Sequence, residues 1–483
     1  MKINKVFNVD SNIDISSIMY DSRIAMDNSI FFAIKGKIND GHKFIDTAIS
    51  NGAKCIVYSD EIINKQEGIV YIQSDDVMHE YVKFCNCYYD YPTDKLKCIA
   101  VTGTNGKTTI SWIIRGLISH FSKCGYIGTM GYYCGDVMED SSLNLTTPKS
   151  DELFRICKKM VDNNCKYLAL EASSEGLSTH RLDDVKFEVG VFTNLSSEHM
   201  DVHNDMESYF KAKCILFDRL DETSVAVINT DDQYGKRLFN LCKARKVSYG
   251  IDEAADYKAS NVSLFNDHSE FDLIHNNLSY HIVTNMVAKF NIYNLLAVIA
   301  TLNEIGFKIE NIIDLLKDVE LCPGRCQLVK AGQDFNVVVD YAFTPNSFEK
   351  VFAYANSITD NNHNIFAVFG AAGDRDHGRR PGSVRVADKY AKHVILSYDD
   401  PASENMMDIC MDLKSYFKNI EPEIILDRYE AIKKVISMAN KGDTILLLGK
   451  GNDEFFLDKK GRIPWMSDEK AAIKAINELN LAS

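Results

Sequence analysis

The run Leu96-Lys97-Cys98-Ile99-Ala100-Val101 is mostly apolar and of strand length. It leads into Gly103-Thr104-Asn105-Gly106-Lys107-Thr108-Thr109, and then into the helix-like Ile110-Ser111-Trp112-Ile113-Ile114. A buried strand, a glycine-bearing loop and a helix form the arrangement in which backbone amides at a helix N-terminus gather phosphate oxygens. The order predicts an α/β domain with this loop at the carboxyl end of a parallel strand. The loop lacks the first glycine spacing of GxxxxGK[ST] but keeps the functional end. Residues Gly103 to Lys107 are placed to cradle phosphate, Lys107 to neutralise transferring oxygens, and Thr108 to ligate magnesium. The plain alternative is a glycine turn with a solvated lysine. A phosphate loop alone admits hydrolysis, phosphotransfer or ligation, so other residues must discriminate.

The chain has 483 residues, enough for two or three cores rather than one. Short apolar runs Ser29–Ile34 and Ala53–Tyr58 predict strands of a small first α/β domain, residues 1–95, closed by a linker over 90–95. The central domain, 96–322, carries further strand candidates at 167–170, 189–192 and 225–228, and a helix over 290–305. A third α/β domain, 323–483, is expected from the runs 337–339, 365–369, 393–396 and 445–448. With 54 basic against 68 acidic residues, a formal charge of −14, the chain does not read as a nonspecific nucleic-acid binder. Thirteen cysteines without any CxxC fit a reducing cytoplasm, and no signal peptide or spanning stretch is indicated.

Glu171 directly follows the apolar run ending at Leu170, at the mouth of the same expected sheet. Its carboxylate suits a hard cation; equally, it reads as a helix-start acid before Ser173-Ser174. His199 reads as a second metal ligand or as a hydrogen-bonded loop histidine. Asn204 and Glu207 fit a capping box opening a helix that carries Lys213. Lys213 is either a plain surface lysine or, if carbamylated, an anionic ligand aimed back at the phosphate loop.

Asp21-Ser22-Arg23, Asp40-Gly41-His42, the 103–109 loop, Thr146-Thr147-Pro148, Glu171-Ala172-Ser173-Ser174, Thr193-Asn194, Phe290–Asn294, Pro323-Gly324-Arg325, Asp340-Tyr341-Ala342 and Gly373–Asp376 follow one another in order. In these segments the chain resembles the Mur ligase family, and within it the branch that adds the third residue of the peptidoglycan stem peptide. The resemblance implies three domains around a central P-loop ATPase-like parallel sheet. ATP and magnesium are the implied cofactors, a UDP-linked muramoyl dipeptide and a free amino acid the partners, and a cytoplasmic monomer the expected form. It implies that Ser22 and Arg23 hold the uridine end, and that Thr146, Thr147, Ser173 and Arg181 meet the muramoyl-peptide portion. Asn291, Asn294, Arg325 and Asp340 become nucleotide contacts. Lys107, Glu171, His199 and Lys213 become the catalytic set, with Thr108, Glu171, His199 and a carbamylated Lys213 around metal.

The incoming amino acid is expected to meet Asp399, Asp400, Glu404, Gly449 and Asp453. In ligases of the branch that use meso-diaminopimelate, an arginine stands where this chain has Ala402, and alanine cannot pair bidentately with a distal carboxylate. L-lysine is therefore the expected amino acid, with Asp400, Glu404 and Asp453 as acids for its ammonium; ornithine and diaminopimelate follow. The chain also departs from the family pattern at Glu175, Ala288, Phe343, Asn346 and Asn452-Asp453. A paralogous or folylpolyglutamate-like ligase, or a non-catalytic ATP-binding scaffold, are the competing readings.

Overall fold

The computed structural model describes residues 1–19, 21–24, 26–36, 39–139, 145–198 and 203–482. Three mainly parallel sheets follow one another along the chain. The first orders β1 (Ser17–Met19), β2 (Ser29–Phe32), β3 (Ala53–Tyr58) and β4 (Val70–Gln73) side by side.

The second sheet is built from β5 (Lys97–Thr102), β6 (Cys124–Gly128), β7 (Gly131–Cys134), β8 (Val137–Glu139), β9 (Tyr167–Glu171), β10 (Phe187–Phe192), β11 (Val225–Asn229), β12 (Arg245–Gly250), β13 (Tyr257–Leu264), β14 (Ser269–His275) and β15 (Leu278–Thr284). Among the described residues its spatial order is 15-14-13-12-11-10-5-9-6-7-8. Its centre is parallel and buried on both faces, which is why those strands read as unbroken apolar runs. Ile99 and Val101 face the layer containing helices Lys107–Ser119 and Lys289–Glu304. Cys98 and Ala100 face the opposite layer, with helices Ser150–Asp162 and Met206–Asp218. The first sheet's Ile30 and Phe32, together with Tyr81 and Phe84 of helix Val77–Tyr88, join that second layer, and Tyr81 donates its hydroxyl to Asp151 at 2.7 Å.

The third sheet contains β16 (Gln327–Leu328), β17 (Asn336–Asp340), β18 (Ile365–Phe369), β19 (His393–Leu396), β20 (Glu423–Ile424) and β21 (Thr444–Leu448), ordered 16-17-21-18-19-20. All its pairings are parallel except β16 with β17. The final helix, Asp468–Ala482, is tied beneath it by a pair with no solvent exposure at either side chain. Arg428 Nε and Nη2 donate to Asp468 at 2.7 and 2.6 Å, and its remaining donors reach the carbonyls of Tyr398 and Leu448.

One local expectation needs correction and one gains detail. Within the 90–95 segment expected as a linker, residues Pro92–Lys95 form a 3-10 turn, because Pro92 presets the first turn. The capping box before Lys213 belongs to Asp205 and Ser208, not to Asn204 and Glu207: Asp205 accepts from the Ser208 amide at 2.7 Å and Ser208 reciprocates. Glu207 pairs instead with Arg237.

Candidate active site

In the central sheet, β5 lies between β9 and β10, so three chain segments leave adjacent carboxyl ends together. From β5 comes the phosphate loop, from β9 Glu171, and from β10 Thr193 and Asn194. The loop is held closely: Thr193 Oγ1 donates to the Asn105 carbonyl at 2.6 Å, and the Asn105 amide donates to Asn194 Oδ1 at 3.0 Å. Gly103, at φ +146°, is required by this approach, since a Cβ there would stand 1.9 Å from Thr193 Oγ1. Gly106, at φ +93°, would bring a Cβ to 2.6 Å from Asn294 Oδ1, so helix Lys289–Glu304 closes on the loop from the other side.

Lys107 opens helix Lys107–Ser119 and donates to the carbonyls of Gly103 and Thr104 at 3.0 and 2.9 Å. Burial pulls its pKa down against the opposing attraction of Glu198 and Glu171. Thr108 donates its hydroxyl to Glu171 at 2.9 Å. Glu171 is fully buried and also accepts from Tyr126 Oη at 2.7 Å, the Thr129 amide at 2.8 Å and the Thr129 hydroxyl at 3.3 Å. Lys213 is 1% exposed, donates to the Gly103 carbonyl at 2.8 Å, and lies 4.4 Å above the Tyr209 ring. It is no surface lysine. Burial first, then the Lys107 charge, push its pKa far below the ordinary lysine value. His199 lies outside the described residues. Its neighbour His203 is buried, bonded to Ser174 Oγ at 2.9 Å and stacked on Tyr209.

These groups line one cleft of about 910 Å³ between the central and third domains. One wall carries Thr146, Thr147, Ser173, Glu175 and Arg181, where Thr147 Oγ1 donates to the Glu171 carbonyl at 2.8 Å. The opposite end runs between Tyr293 and Asn294 on one side and Lys350, Val351 and Tyr354 of helix Pro345–Ile358 on the other. Asn291 stands behind this wall and accepts from Asn294 Nδ2 at 2.9 Å. The third domain reaches the loop directly: Arg325 Nη2 donates to Thr108 Oγ1 at 3.5 Å, and Asn105 Nδ2 to Asn346 Oδ1 at 3.3 Å. Asp340 accepts the amides of Cys326 and Ala342, while burial raises its pKa against the pull of Arg325.

The remaining expected residues do not line this cleft. Ser22 is buried, with its carbonyl taken by Asn51 Nδ2 at 2.7 Å, and exposed Arg23 pairs with Asp21 at 2.5 Å. Asp400, Glu404 and Asp453, offered above as acids awaiting an ammonium, already have cations. Lys450 donates to Asp400 at 2.8 Å and to Asp453 at 3.2 Å, while Arg380 and His377 hold Glu404 at 3.0 Å each. Asp399 packs under Gly449, whose added Cβ would stand 2.4 Å from it. Tyr341, in the cleft lining, connects to this cluster by donating to Asp453 at 3.0 Å.

Sequence profiles of the Mur ligase middle domain, the Mur ligase glutamate ligase domain and the Mur ligase family catalytic domain match residues 101–302, 324–451 and 14–87. A UDP-N-acetylmuramoyl-L-alanyl-D-glutamate–2,6-diaminopimelate ligase 1 of Clostridium acetobutylicum is 38% identical over 450 residues, covering 92% of each chain. This chain belongs to the Mur ligase family. It is accordingly an ATP-dependent amide ligase. The like-named ligase of Fusobacterium nucleatum is 37% identical over 97% of this chain and 95% of its own. A solved structure of a UDP-N-acetylmuramoyl-L-alanyl-D-glutamate–2,6-diaminopimelate ligase superposes with a TM-score of 0.70 at 27% identity, covering 99% of both chains.

Two Mur ligase cleft residues escaped the motif reading. Glu198 is buried and its charge acts on both Lys107 and Lys213; the only signal was its place beside His199. Arg375 lines the cleft and makes no hydrogen bond or ion pair among the described residues, although its Gly373–Asp376 segment was noticed. For magnesium, the donor set fits: Thr108 Oγ1, the Glu171 carboxylate and nearby Glu198 are hard oxygen donors in one cleft. A second group, Asp40, His42 and Asp60, is held together for another reason. His42 Nε2 accepts the amides of Ser59 and Asp60 at 3.0 and 3.1 Å, which leaves Nδ1–H to donate to Asp40 at 2.7 Å. Both ring nitrogens are therefore spent on bracing the turn. No helix among the described residues is long and apolar enough to cross a membrane.

Proposed function

We propose that this ligase adds the third residue of the peptidoglycan stem peptide, joining a diaminopimelate-type amino acid to the D-glutamyl side-chain carboxylate of a UDP-linked muramoyl dipeptide in the cytoplasm, as a monomer. The observation that carries the reading is the single cleft in which the phosphate loop, Glu171, the Thr146–Arg181 wall and the third domain's Arg325 and Arg375 converge. The names of the similar ligases support the acyl and amino-acid substrates. The acyl carboxylate oxygen attacks the terminal phosphorus of ATP and ADP leaves. The amine nitrogen then attacks the acyl carbon, phosphate departs and the amine loses a proton. Lys107 and the loop amides neutralise the phosphoryl oxygens, and Asn294, Tyr354 and Asp340 border the nucleoside end. Thr108 and Glu171 would hold a magnesium ion, which would supply charge neutralisation at the transferring phosphoryl group. Closure of the third domain through Arg325 and Asn346 excludes water that would hydrolyse the acyl phosphate.

Lys213 is proposed to work as a carbamate. Burial lowers the Lys213 pKa and so favours its neutral amine. The nitrogen lone pair adds to the carbon of carbon dioxide, one C–O π bond breaks, the nitrogen gives up a proton to solvent, and the product is an anion beside Lys107.

The test is ADP release with the UDP-linked dipeptide, ATP and each amino acid in turn. Diaminopimelate is expected to be used fastest. Ala402 favours lysine as the second reading, because it offers no guanidinium to a distal carboxylate. A higher kcat/KM for lysine would overturn the first choice, and silence with every amino acid would overturn the acyl-substrate assignment.

A further inference from the structure

On the acyl wall of the cleft, among the described residues, Arg181 is the cationic side chain beside Thr146, Thr147, Ser173, Ser174 and Glu175. Its position is fixed. Nη1 donates to the Thr147 carbonyl at 3.0 Å, its backbone amide to the Gly176 carbonyl at 3.0 Å, and its own carbonyl accepts from Ser150 Oγ at 3.2 Å. The side chain is 15% exposed. Its Nη2 donates to Glu175 Oε1 at 2.6 Å, and Glu175, 52% exposed, faces the same cleft. Gly176 keeps this geometry tight, since a Cβ there would stand 2.6 Å from the Thr147 methyl.

A guanidinium on a substrate wall is the natural anchor for a carboxylate. Here that anchor is already joined to an internal carboxylate, so the pair offers the substrate little net charge. A second anion arriving beside Arg181 must displace Glu175 or sit against it. A carboxamide meets neither cost: its oxygen accepts from the guanidinium and its N–H donates to Glu175.

We infer that the Glu175–Arg181 pair makes this wall selective for an acyl substrate whose group beside the reacting side chain is uncharged, such as the α-carboxamide rather than the free α-carboxylate of the D-glutamyl residue. This rests on the acyl assignment made above. Glu175 is thus a specificity-determining residue, and it acts on recognition rather than on phosphoryl transfer.

The test uses the full-length enzyme with ATP, the preferred amino acid and two acyl substrates that differ only in α-carboxylate against α-carboxamide. The wild type is expected to show a KM for the carboxamide at or below that for the carboxylate. Glu175→Gln is expected to lower the carboxylate KM about two- to fivefold, the range of a partly exposed ion pair, with the effect carried by KM more than by kcat. Glu175→His, which also removes the negative charge, should move KM in the same direction. A wild-type preference for the carboxylate of more than about tenfold, or an unchanged KM ratio in both variants, overturns the inference and leaves the ligase reading standing. If neither substrate releases ADP with any amino acid, the acyl assignment falls and this inference falls with it.

Discussion

Replacing Glu171 by glutamine separates its chemical role from its structural one. Oε1 of Glu171 receives the two least adjustable donors, Tyr126 Oη at 2.7 Å and the Thr129 amide at 2.8 Å. Oε2 receives the hydroxyls of Thr108 and Thr129. A glutamine with its oxygen at the first position keeps both fixed donors, and its amide nitrogen meets two hydroxyls that can rotate to accept. The fold then loses only charge assistance, about 1 kcal/mol. Alanine would be a poor probe, because it strands the buried Thr129 amide and Tyr126 hydroxyl at about 1–3 kcal/mol each. The chemistry responds differently: the neutral amide would hold magnesium less firmly, and losing preorganised positive charge at a transferring phosphoryl group costs about 2.7–4 kcal/mol, or about 10²–10³-fold in kcat. Glu171→Gln should therefore melt close to the wild type while ADP release collapses. A kcat within about tenfold of wild type, with the melt unchanged, would refute the reasoning.

Lys213→Ala should abolish ligation, and added formate or acetate should restore part of it by standing in for the missing carbamate; ligation at the wild-type rate would sink that proposal. Ala288, buried at φ +76° and ψ 142°, occupies backbone space suited to glycine, so Ala288→Gly should raise stability by about 1 kcal/mol in thermal unfolding. A loss of stability would show that its methyl packing outweighs the strain. Burial raises the Asp399 pKa to about 6, against the attraction of Arg428 and Lys450. Folding thus takes up a proton there, so stability falls as pH rises from about 4 to 6, by about 3 kcal/mol at most, and is constant above. Asp399→Asn should flatten that segment of the urea-unfolding profile, and an identical slope in both proteins would exclude Asp399 as its source.

Much of this architecture was legible because the central parallel strands are buried on both faces and each gives way to glycine or polar residues at its carboxyl end. Runs 97–102, 167–171, 225–229 and 444–448 declare themselves by apolarity alone. The antiparallel additions β7–β8 and β13–β15 did not, since their half-exposed strands mix Tyr, Ser, Asp and His and carry no long apolar run. At the site, the phosphate loop and Glu171 were visible as strand-end residues. The state of the acids in the third domain was not: Glu404 lies 24 residues from Arg380 and Asp400 lies 50 residues from Lys450, and nothing in the sequence announces such distant pairings. The same holds for Glu175 and Arg181, whose pairing depends on the short helix that carries Glu175 and the turn after it bringing both side chains to one wall.

The Arg428–Asp468 pair sets a practical limit on how the protein can be shortened. With both side chains sealed from water, a version ending before Asp468 would leave a guanidinium buried without its counter-ion, a loss of about 3–5 kcal/mol. Because Arg428 also holds the carbonyls that end β21 and follow β19, the damage would spread to the strand ends around Asp399 and Gly449. Expression variants and crystallisation truncations should therefore retain the last helix, and affinity tags belong beyond it rather than in its place.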